Sequence, residues 1–365
     1  MKRSVLCLVH LPPPVHGASL MNQSIVNSTL INDRFRLKVI DITTARHIED
    51  IGSMSSGKIA GAIKNFFKII AALISFRPSL VYFTFSPSGF AFYRDAVYVL
   101  LIKLTGRKLV FHLHGKGIAA GAGNSKVFRW VARRVFSDTH VILLSELLTA
   151  DLKGISYKQK FILPYGIPVE AAQAVERTAG PGPVRLLFLS NYVRSKGIID
   201  LIDALEKVAV STRNFHLRLV GRPYDVSIDE LNDHIRQKKL DGLVTVCGPR
   251  YKEEKWEELR QADLFVFPTY YPNETFGLVL LEAMQWGLPV ITTREGGIPD
   301  VVGDGVSGFL VDQRDISALA DKILFLVQNP EKRISMGAAA RERFMNKFTL
   351  LRFEQDMLQI LDSIH

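Results

Sequence analysis

The 365-residue sequence predicts an α/β fold built from two successive doubly wound domains. Short apolar runs rich in Val, Leu and Phe alternate with longer helical stretches, the rhythm of a parallel sheet covered by helices on both faces. That rhythm breaks once, at "EAAQAVERTAGPGP" (170–183), whose Gly-Pro-Gly-Pro tail reads as a linker between domains. At 47% hydrophobic residues, the chain has a globular composition and enough length for two cores.

In the first series, "SVLCLVH" predicts a strand, and "RFRLKVIDI", "SLVYFTFS", "RKLVFHLHG" and "THVILLS" predict four more. A helix containing "FAFYRDAVYVLLIKLTG" separates the third from the fourth and ends at Gly106, and "KFILPYGIPV" adds a further strand and a turn. After the break come strand "VRLLFLS", helix "IIDLIDALEKVAV", strand "FHLRLVG", helix "SIDELNDHIRQKKL", strand "LVTVCG" and helix "KWEELRQA". Strand "LFVFPT", a helix near 277–286, and strands "LPVITT" and "GFLV" complete the second series. At the C-terminus, Leu350, Phe353, Met357, Leu361 and Ile364 recur every three or four residues, one apolar helical face that predicts a helix packing back across the domains. The expected organisation is therefore 1–169, a linker at 170–183, 184–344, and a terminal helix over 345–365 that returns toward the N-terminal domain. In such sheets ligands bind beyond the C-terminal strand ends, and a cleft between the domains offers a second place.

Cys7 and Cys247 lie far apart in strand-like runs, which points to buried free thiols and a reduced, cytoplasmic protein without a disulfide framework. The opening "MKRSVLCLVHLPPP" lacks a long apolar core and a small-residue cleavage site, so it reads as the first strand and not as a leader. No stretch reaches the roughly 18 apolar residues of a transmembrane helix. The net charge of +10 favours anionic partners. Nucleic acid is not expected, because no zinc-finger, helix-turn-helix or RNA-binding aromatic signature is present. Residues 61–80, "GAIKNFFKIIAALISFRPSL", scatter Lys64, Lys68 and Arg77 through dense apolar residues. Two readings stay open for them: a core helix under the sheet, or a helix lying on anionic lipid at the cytoplasmic face of the inner membrane.

The chemistry concentrates in "YPNETFGLVLLEAMQWGLPVITTREGGIPDVVGDGVSGFLV" (271–311). Glu274 and Glu282 stand eight residues apart, a little over two helical turns, among apolar neighbours that make an unsatisfied carboxylate costly. Ionised carboxylates are acceptor-only and suit ligands rich in hydroxyl donors.

This glutamate pair, with the Gly-Gly and second glycine-rich turn behind it, resembles the retaining nucleotide-sugar glycosyltransferases of the glycogen-synthase-like group, glycosyltransferase family 4, which have the GT-B fold. The resemblance implies two Rossmann-like domains facing a central cleft, and transfer of a sugar from a nucleotide diphosphate-sugar to a hydroxyl acceptor with retention at the anomeric carbon. By the same resemblance, Glu282 holds the ribose hydroxyls and Glu274 faces the donor sugar. The peptide N–H groups of Phe276, Gly277 and Leu278, with Thr275 beside them, meet the diphosphate at a helix start, where anions are favoured. "LFLSNYVRSKG" (187–197) matches the family's phosphate loop through Lys196 and Gly197, but Ser190 and Asn191 stand where Gly and Arg are usual. Arg194 is the expected substitute cation, and Asn191 keeps a donor-side position. In "VFHLHGKG", His114 matches the cleft histidine better than His112, which lies deeper on the strand. The loop "LPPPVHGASLMNQ" places Gly17 close to the diphosphate and acceptor, with Ser19 and Asn22 as helix caps and His16 either an acceptor contact or structural.

Four softer positions follow from the resemblance, with an ordinary turn as the alternative for each. They are Tyr165 in "ILPYGIP", Gly221 and Arg222 in "LRLVGRP", Gly248, Pro249 and Arg250 in "TVCGPRYKEE", and Gly296 and Gly297 in "REGG". No cofactor or metal is expected, since no Asp-x-Asp motif sits in a convincing loop. The donor is expected to be a nucleotide-sugar, and the acceptor a carbohydrate or lipid-linked glycan of bacterial surface polysaccharide or lipopolysaccharide assembly. An epimerase or phosphorylase on the same architecture remains open, as does a noncatalytic glycan- or lipid-binding protein. A dinucleotide-dependent dehydrogenase would need a Gly-x-Gly-x-x-Gly turn after the first strand, and residues 11–19 contain none.

Overall fold

The computed structural model describes residues 2–43, 56–170, 177, 180 and 182–364. These divide into two compact units, one from the N-terminus to Gly166 together with Leu350–His365, the other Ile167–Thr349. Most of the expected 170–183 linker lies outside the described residues.

The first unit is a six-stranded, all-parallel sheet in the order β2-β1-β3-β4-β5-β6. Its strands are β1 (Arg3–Val9), β2 (Phe35–Asp41), β3 (Leu80–Phe83), β4 (Lys108–Leu113), β5 (His140–Leu143) and β6 (Gln159–Ile162). β3 and β5 are buried at every position, as expected of strands covered on both faces. Aromatic rings fill one of those faces. Phe85 stacks on Phe111 at 4.8 Å and meets Phe136 edge-on, and Phe92 stacks on Phe128 at 3.8 Å. Helix α3 (Ser56–Ser75) turns Asn65, Ile69, Ala72 and Leu73 inward. Ile63, Phe67 and Ile74 stay exposed, so the apolar-basic segment is a core helix on one side only. Helix α4 (Gly89–Leu104) ends where expected, at Gly106 with φ 66°.

The second unit repeats the plan in the order β12-β11-β10-β7-β8-β9. Its strands are β7 (Val184–Leu189), β8 (Phe215–Val220), β9 (Val244–Gly248), β10 (Leu264–Phe267), β11 (Val290–Thr293) and β12 (Gly308–Val311). Helices α7 (Ile198–Ser211), α8 (Ile228–Gln237), α9 (Glu253–Gln261) and α10 (Leu278–Gln285) connect them. Two further helices, α12 (Ile316–Gln328) and α13 (Pro330–Lys347), occupy a region the sequence reading left without elements.

Two expectations need correction. The terminal helix α14 starts at Leu350, not near 345, because α13 runs to Lys347 and the chain breaks at Phe348–Thr349. Its Phe353, Met357, Leu361 and Ile364 are buried, and Ile360 joins them. Cys7 is buried, but Cys247 is only half-buried. Leu219 pairs with Val246 and Val220 with Gly248, so Cys247 is the extra residue of a bulge and is pushed out of the ladder.

The aromatic stack yields a stability prediction. Phe111→Ala should destabilise the first unit by about 3–5 kcal/mol, the usual cost of an emptied aromatic core position. Urea denaturation followed by far-UV circular dichroism measures it.

Candidate functional site

In the second unit the strand order reverses between β7 and β10. One branch of the chain runs outward through β8 and β9, the other through β11 and β12. Loops leaving the C-terminal ends of β7 and β10 therefore part in opposite directions and leave a crevice, the place where open α/β sheets bind ligands.

Both loops are tightly joined there. Gly197 has φ 79°, and a Cβ on it would lie 2.2 Å from the Pro268 carbonyl oxygen. The Tyr270 N–H donates to the Ser195 carbonyl at 2.8 Å. This contact delivers Lys196 from the β7 loop to Glu274 on the β10 loop, and its ammonium donates to Oε2 of that carboxylate. The same ammonium lies 4.6 Å from the centre of the Tyr271 ring and 5.3 Å from that of Phe267. With Lys196 17% and Glu274 13% exposed, this ion pair is far drier than an ordinary surface pair.

Glu282 lies on α10, while Glu274 precedes that helix, so the two acids do not share a helical face. Each has its own lysine. Lys255 on α9 donates to Glu282 Oε1 at 2.8 Å. Between the acids, Gly277 is the N-cap of α10 with φ 77° and no side-chain cap, so the N–H groups of Leu278 and its neighbours open the helix. Phe276 is buried and packs its ring on Phe348, leaving only its peptide group for a ligand role. Thr275 is buried, and its carbonyl accepts from the Gly297 N–H at 2.9 Å. Gly296, φ 53°, lets the "REGG" turn close over that segment, since a Cβ there would lie 2.4 Å from the Glu274 carbonyl oxygen. Glu295 is held by Gln313 at 2.5 Å.

Other expected residues sit apart from this pair. Arg194 does not join Lys196. Its N–H donates to Asp225 Oδ1 at 2.7 Å and its guanidinium binds Glu230. Both residues lie in one 3-10 turn, in which positions i and i+2 point to different sides. Asn191 lies at the start of that loop, its carbonyl accepting from Val193 at 2.8 Å. Gly221 donates to the Gly248 carbonyl at 3.0 Å, and Arg250 lies 3.8 Å from Glu258, which Arg218 grips with two bonds. Three residues escaped the sequence reading. Tyr192 is fully buried and fastens the β8 and β9 ends, donating to the Leu219 carbonyl at 2.7 Å and accepting from the Gly248 N–H at 3.1 Å. Lys255 and Tyr271 are the others, and only Tyr271, beside the Glu274 motif, had a local signal.

In the first unit the order reverses between β1 and β3. There the expected N-terminal loop enters α1 (Gly17–Asn27), of which Gly17 is the first residue. His16 is the N-cap: its Nδ1 accepts from Ser19 N–H at 3.3 Å, and its own N–H donates to Ser19 Oγ at 3.0 Å. The structural reading of His16 therefore holds, with Ser19 its capping partner. Asn22 is not a cap but a buried bracket, accepting from Thr84 at 2.9 Å and donating to the His10 carbonyl at 3.0 Å. The rings of His112 and His114 lie 4.0 Å apart between centres, tilted by 35°. His112 Nδ1 bonds Tyr82 at 2.8 Å and His114 Nδ1 bonds Tyr165 at 2.6 Å. Burial pushes His112 and His10 down to about 3, and holds His114 well below the usual histidine range, with His112 adding to the effect. All three imidazoles are neutral at physiological pH.

Comparison with known proteins bears on the family and the fold. Residues 172–343 match the family model for "Glycosyl transferases group 1". The match lies wholly within the second unit. A D-inositol 3-phosphate glycosyltransferase of Corynebacterium kroppenstedtii is 38% identical over 162 residues, 43% of this chain and 36% of the relative. The capsular polysaccharide biosynthesis glycosyltransferase CapM of Staphylococcus aureus is 31% identical over 163 residues, 44% of this chain and 41% of CapM. The matched part thus spans less than half the length of these curated relatives. The crystal structure of Anabaena Alr3699/HepE in complex with UDP superposes over 100% of both chains with a TM-score of 0.75 at 22% identity. The GT-B fold implied by the sequence resemblance is the fold of this chain.

Two outcomes follow from the site. Gly197→Ala should lower the stability of the second unit by about 1–3 kcal/mol, because backbone, not a flexible side chain, occupies the space; chemical denaturation reads it. For the histidines, the unfolded chain binds protons below pH of about 6.5 while the folded chain does not until about 3, so stability of the first unit falls as pH drops through that window. The slope of the urea midpoint against pH should become shallower in His112→Asn.

Proposed function

We propose that the protein is a retaining glycosyltransferase that moves a sugar from a nucleotide diphosphate-sugar to an acceptor hydroxyl. The observation that carries this reading is the pairing of Lys196 with Glu274 at the β7/β10 crevice, beside the uncapped start of α10. A diphosphate needs fixed positive charge and N–H donors, and a sugar and ribose need acceptor-only groups. Both kinds lie within one short stretch of chain.

In this reading Lys196 and the N–H groups of Gly277 and Leu278 hold the diphosphate and stabilise the negative charge it gains as the anomeric bond breaks. Glu274, released from Lys196 by the phosphate, accepts from hydroxyls of the donor sugar, and Glu282, steadied by Lys255, accepts from the ribose. The departing phosphate oxygen takes the proton of the acceptor hydroxyl, whose oxygen forms the new bond on the same face, so no carboxylate base is assigned and no metal is required. Arg194 is given no diphosphate role, being held by Glu230. Gly17 and His114 are assigned to the acceptor side, with the neutral imidazole both donating and accepting.

For the acceptor we favour a lipid-linked glycan of bacterial surface polysaccharide or lipopolysaccharide assembly, with CapM, a capsular polysaccharide biosynthesis enzyme, as the supporting relative. A panel of nucleotide-sugars measured by calorimetry tests the reading. One donor should bind, and Lys196→Ala and Glu282→Ala should each weaken it by about tenfold or more, as expected for charge-assisted contacts. Glu274→Gln should keep most donor affinity and lose about 10²–10³ in turnover if its charge acts mainly in the transition state. A folded protein that binds no nucleotide-sugar would overturn the reading.

A further inference from the structure

On the first unit, α4 lies between α3 and α6 (Lys126–Phe136). The three helices are tied together: the Tyr98 hydroxyl donates to the Ala62 carbonyl at 2.7 Å, and Lys103 donates to the Arg134 carbonyl at 2.8 Å. What α4 shows to solvent is unusual for a protein surface. Apart from Gly89, its exposed positions are Phe90, Tyr93, Val97, Leu100 and Leu104, spaced by three and four residues in one stripe without a single charge. Leu104 is 87% exposed and Val97 54%.

The stripe continues sideways on both neighbours. α3 adds Ile63, Phe67 and Ile74, and α6 adds Val127 and Trp130, the last 61% exposed. Cations flank it. Lys64 and Lys68 lie on one side, and Lys126, Arg129, Arg133 and Arg134 on the other, all exposed. On these three helices the sole carboxylate is Asp95, which is buried against Arg94 at 2.7 Å. An apolar ridge between cationic flanks, with no exposed acid on the three helices themselves and Asp138 just beyond the end of α6, fits a surface that is oily beneath and negative at its rim. No helix among the described residues is long and apolar enough to cross a membrane, so the face suits contact and not insertion across it.

We propose that this three-helix face binds the surface of an anionic lipid bilayer, with Phe67, Val97, Leu100 and Trp130 entering the headgroup boundary and the flanking Lys and Arg residues pairing with lipid phosphates. A second protein copy would bring like charges together along both flanks, which disfavours a symmetric dimer through this face. The inference does not depend on the sugar-transfer reading, because it is measured by attachment and not by turnover.

Co-sedimentation of the full chain with phosphatidylcholine vesicles containing about 30% phosphatidylglycerol, against phosphatidylcholine alone, is the experiment. Attachment should require the anionic lipid and fall at about 0.5 M salt. The double variants Val97→Asp with Leu100→Asp, and Arg133→Glu with Arg134→Glu, should each reduce it by about tenfold or more. These positions are exposed, and an unchanged thermal transition will show that the variants remain folded. Equal attachment to neutral vesicles, attachment unaffected by both variants, or no attachment at all would overturn the proposal. So would a concentration-dependent dimer that the Val97→Asp/Leu100→Asp variant dissolves, since that would make the face an interface between copies.

Discussion

Two loops that leave neighbouring parallel strands in opposite directions must still meet at their roots, and the second unit is organised around how they do so. Gly197 lets the β7 loop press on the Pro268 carbonyl, and the Tyr270–Ser195 backbone bond locks the contact. With the loop roots held, Lys196 has a single short route to Glu274, and the following turn delivers the start of α10 beside them. A side chain at position 197 would separate the loops and, with them, the charges. The strand reversal supplies the crevice, and this contact supplies its precision.

The electrostatics of the two units differ for a physical reason. In the second unit each motif carboxylate is paired with its own lysine, Glu274 with Lys196 and Glu282 with Lys255, so acids can sit among apolar residues without an uncompensated desolvation cost. In the first unit the corresponding strand ends carry His10, His112 and His114 with Tyr82, Tyr165 and Asn22, and burial keeps the imidazoles uncharged. One unit presents charge suited to anionic and hydroxyl-bearing groups. The other presents neutral donors and acceptors, suited to polar groups without net charge.

The solvent faces of the helices also differ in charge. α8 and α9 expose both acids and bases, joined by pairs such as Arg260 with Glu257 and Arg236 with Asp233. α4 exposes none, and its neighbours expose cations without acids. Hydropathy along the chain blurs this contrast, because the inward residues of α4 are apolar as well, and only burial separates the stripe that fills the core from the one that faces water.

Much of the architecture was legible from residue order. Period-two and near-continuous apolar runs located the strands, and the Glu274–Glu282 segment with its trailing glycines marked the loop and helix start that follow β10. Local patterns carry that information because strand burial and helix starts are decided by neighbours in sequence. Other features were not legible. The partner of Glu282 is Lys255, 27 residues earlier, and Arg194 turned to Glu230, 36 residues later, although Lys196 two positions on reached Glu274. Cys247 lost its ladder partner to a bulge, and Asn22 became a bracket for Tyr82 and Thr84 instead of a cap. The sequence by itself determined the two doubly wound units and the identity of the acids and the lysine at the motif. Tertiary structure alone decided which charges meet, which histidines are neutral and which apolar stripe faces water, because each depends on distances between segments remote in the chain that only packing sets.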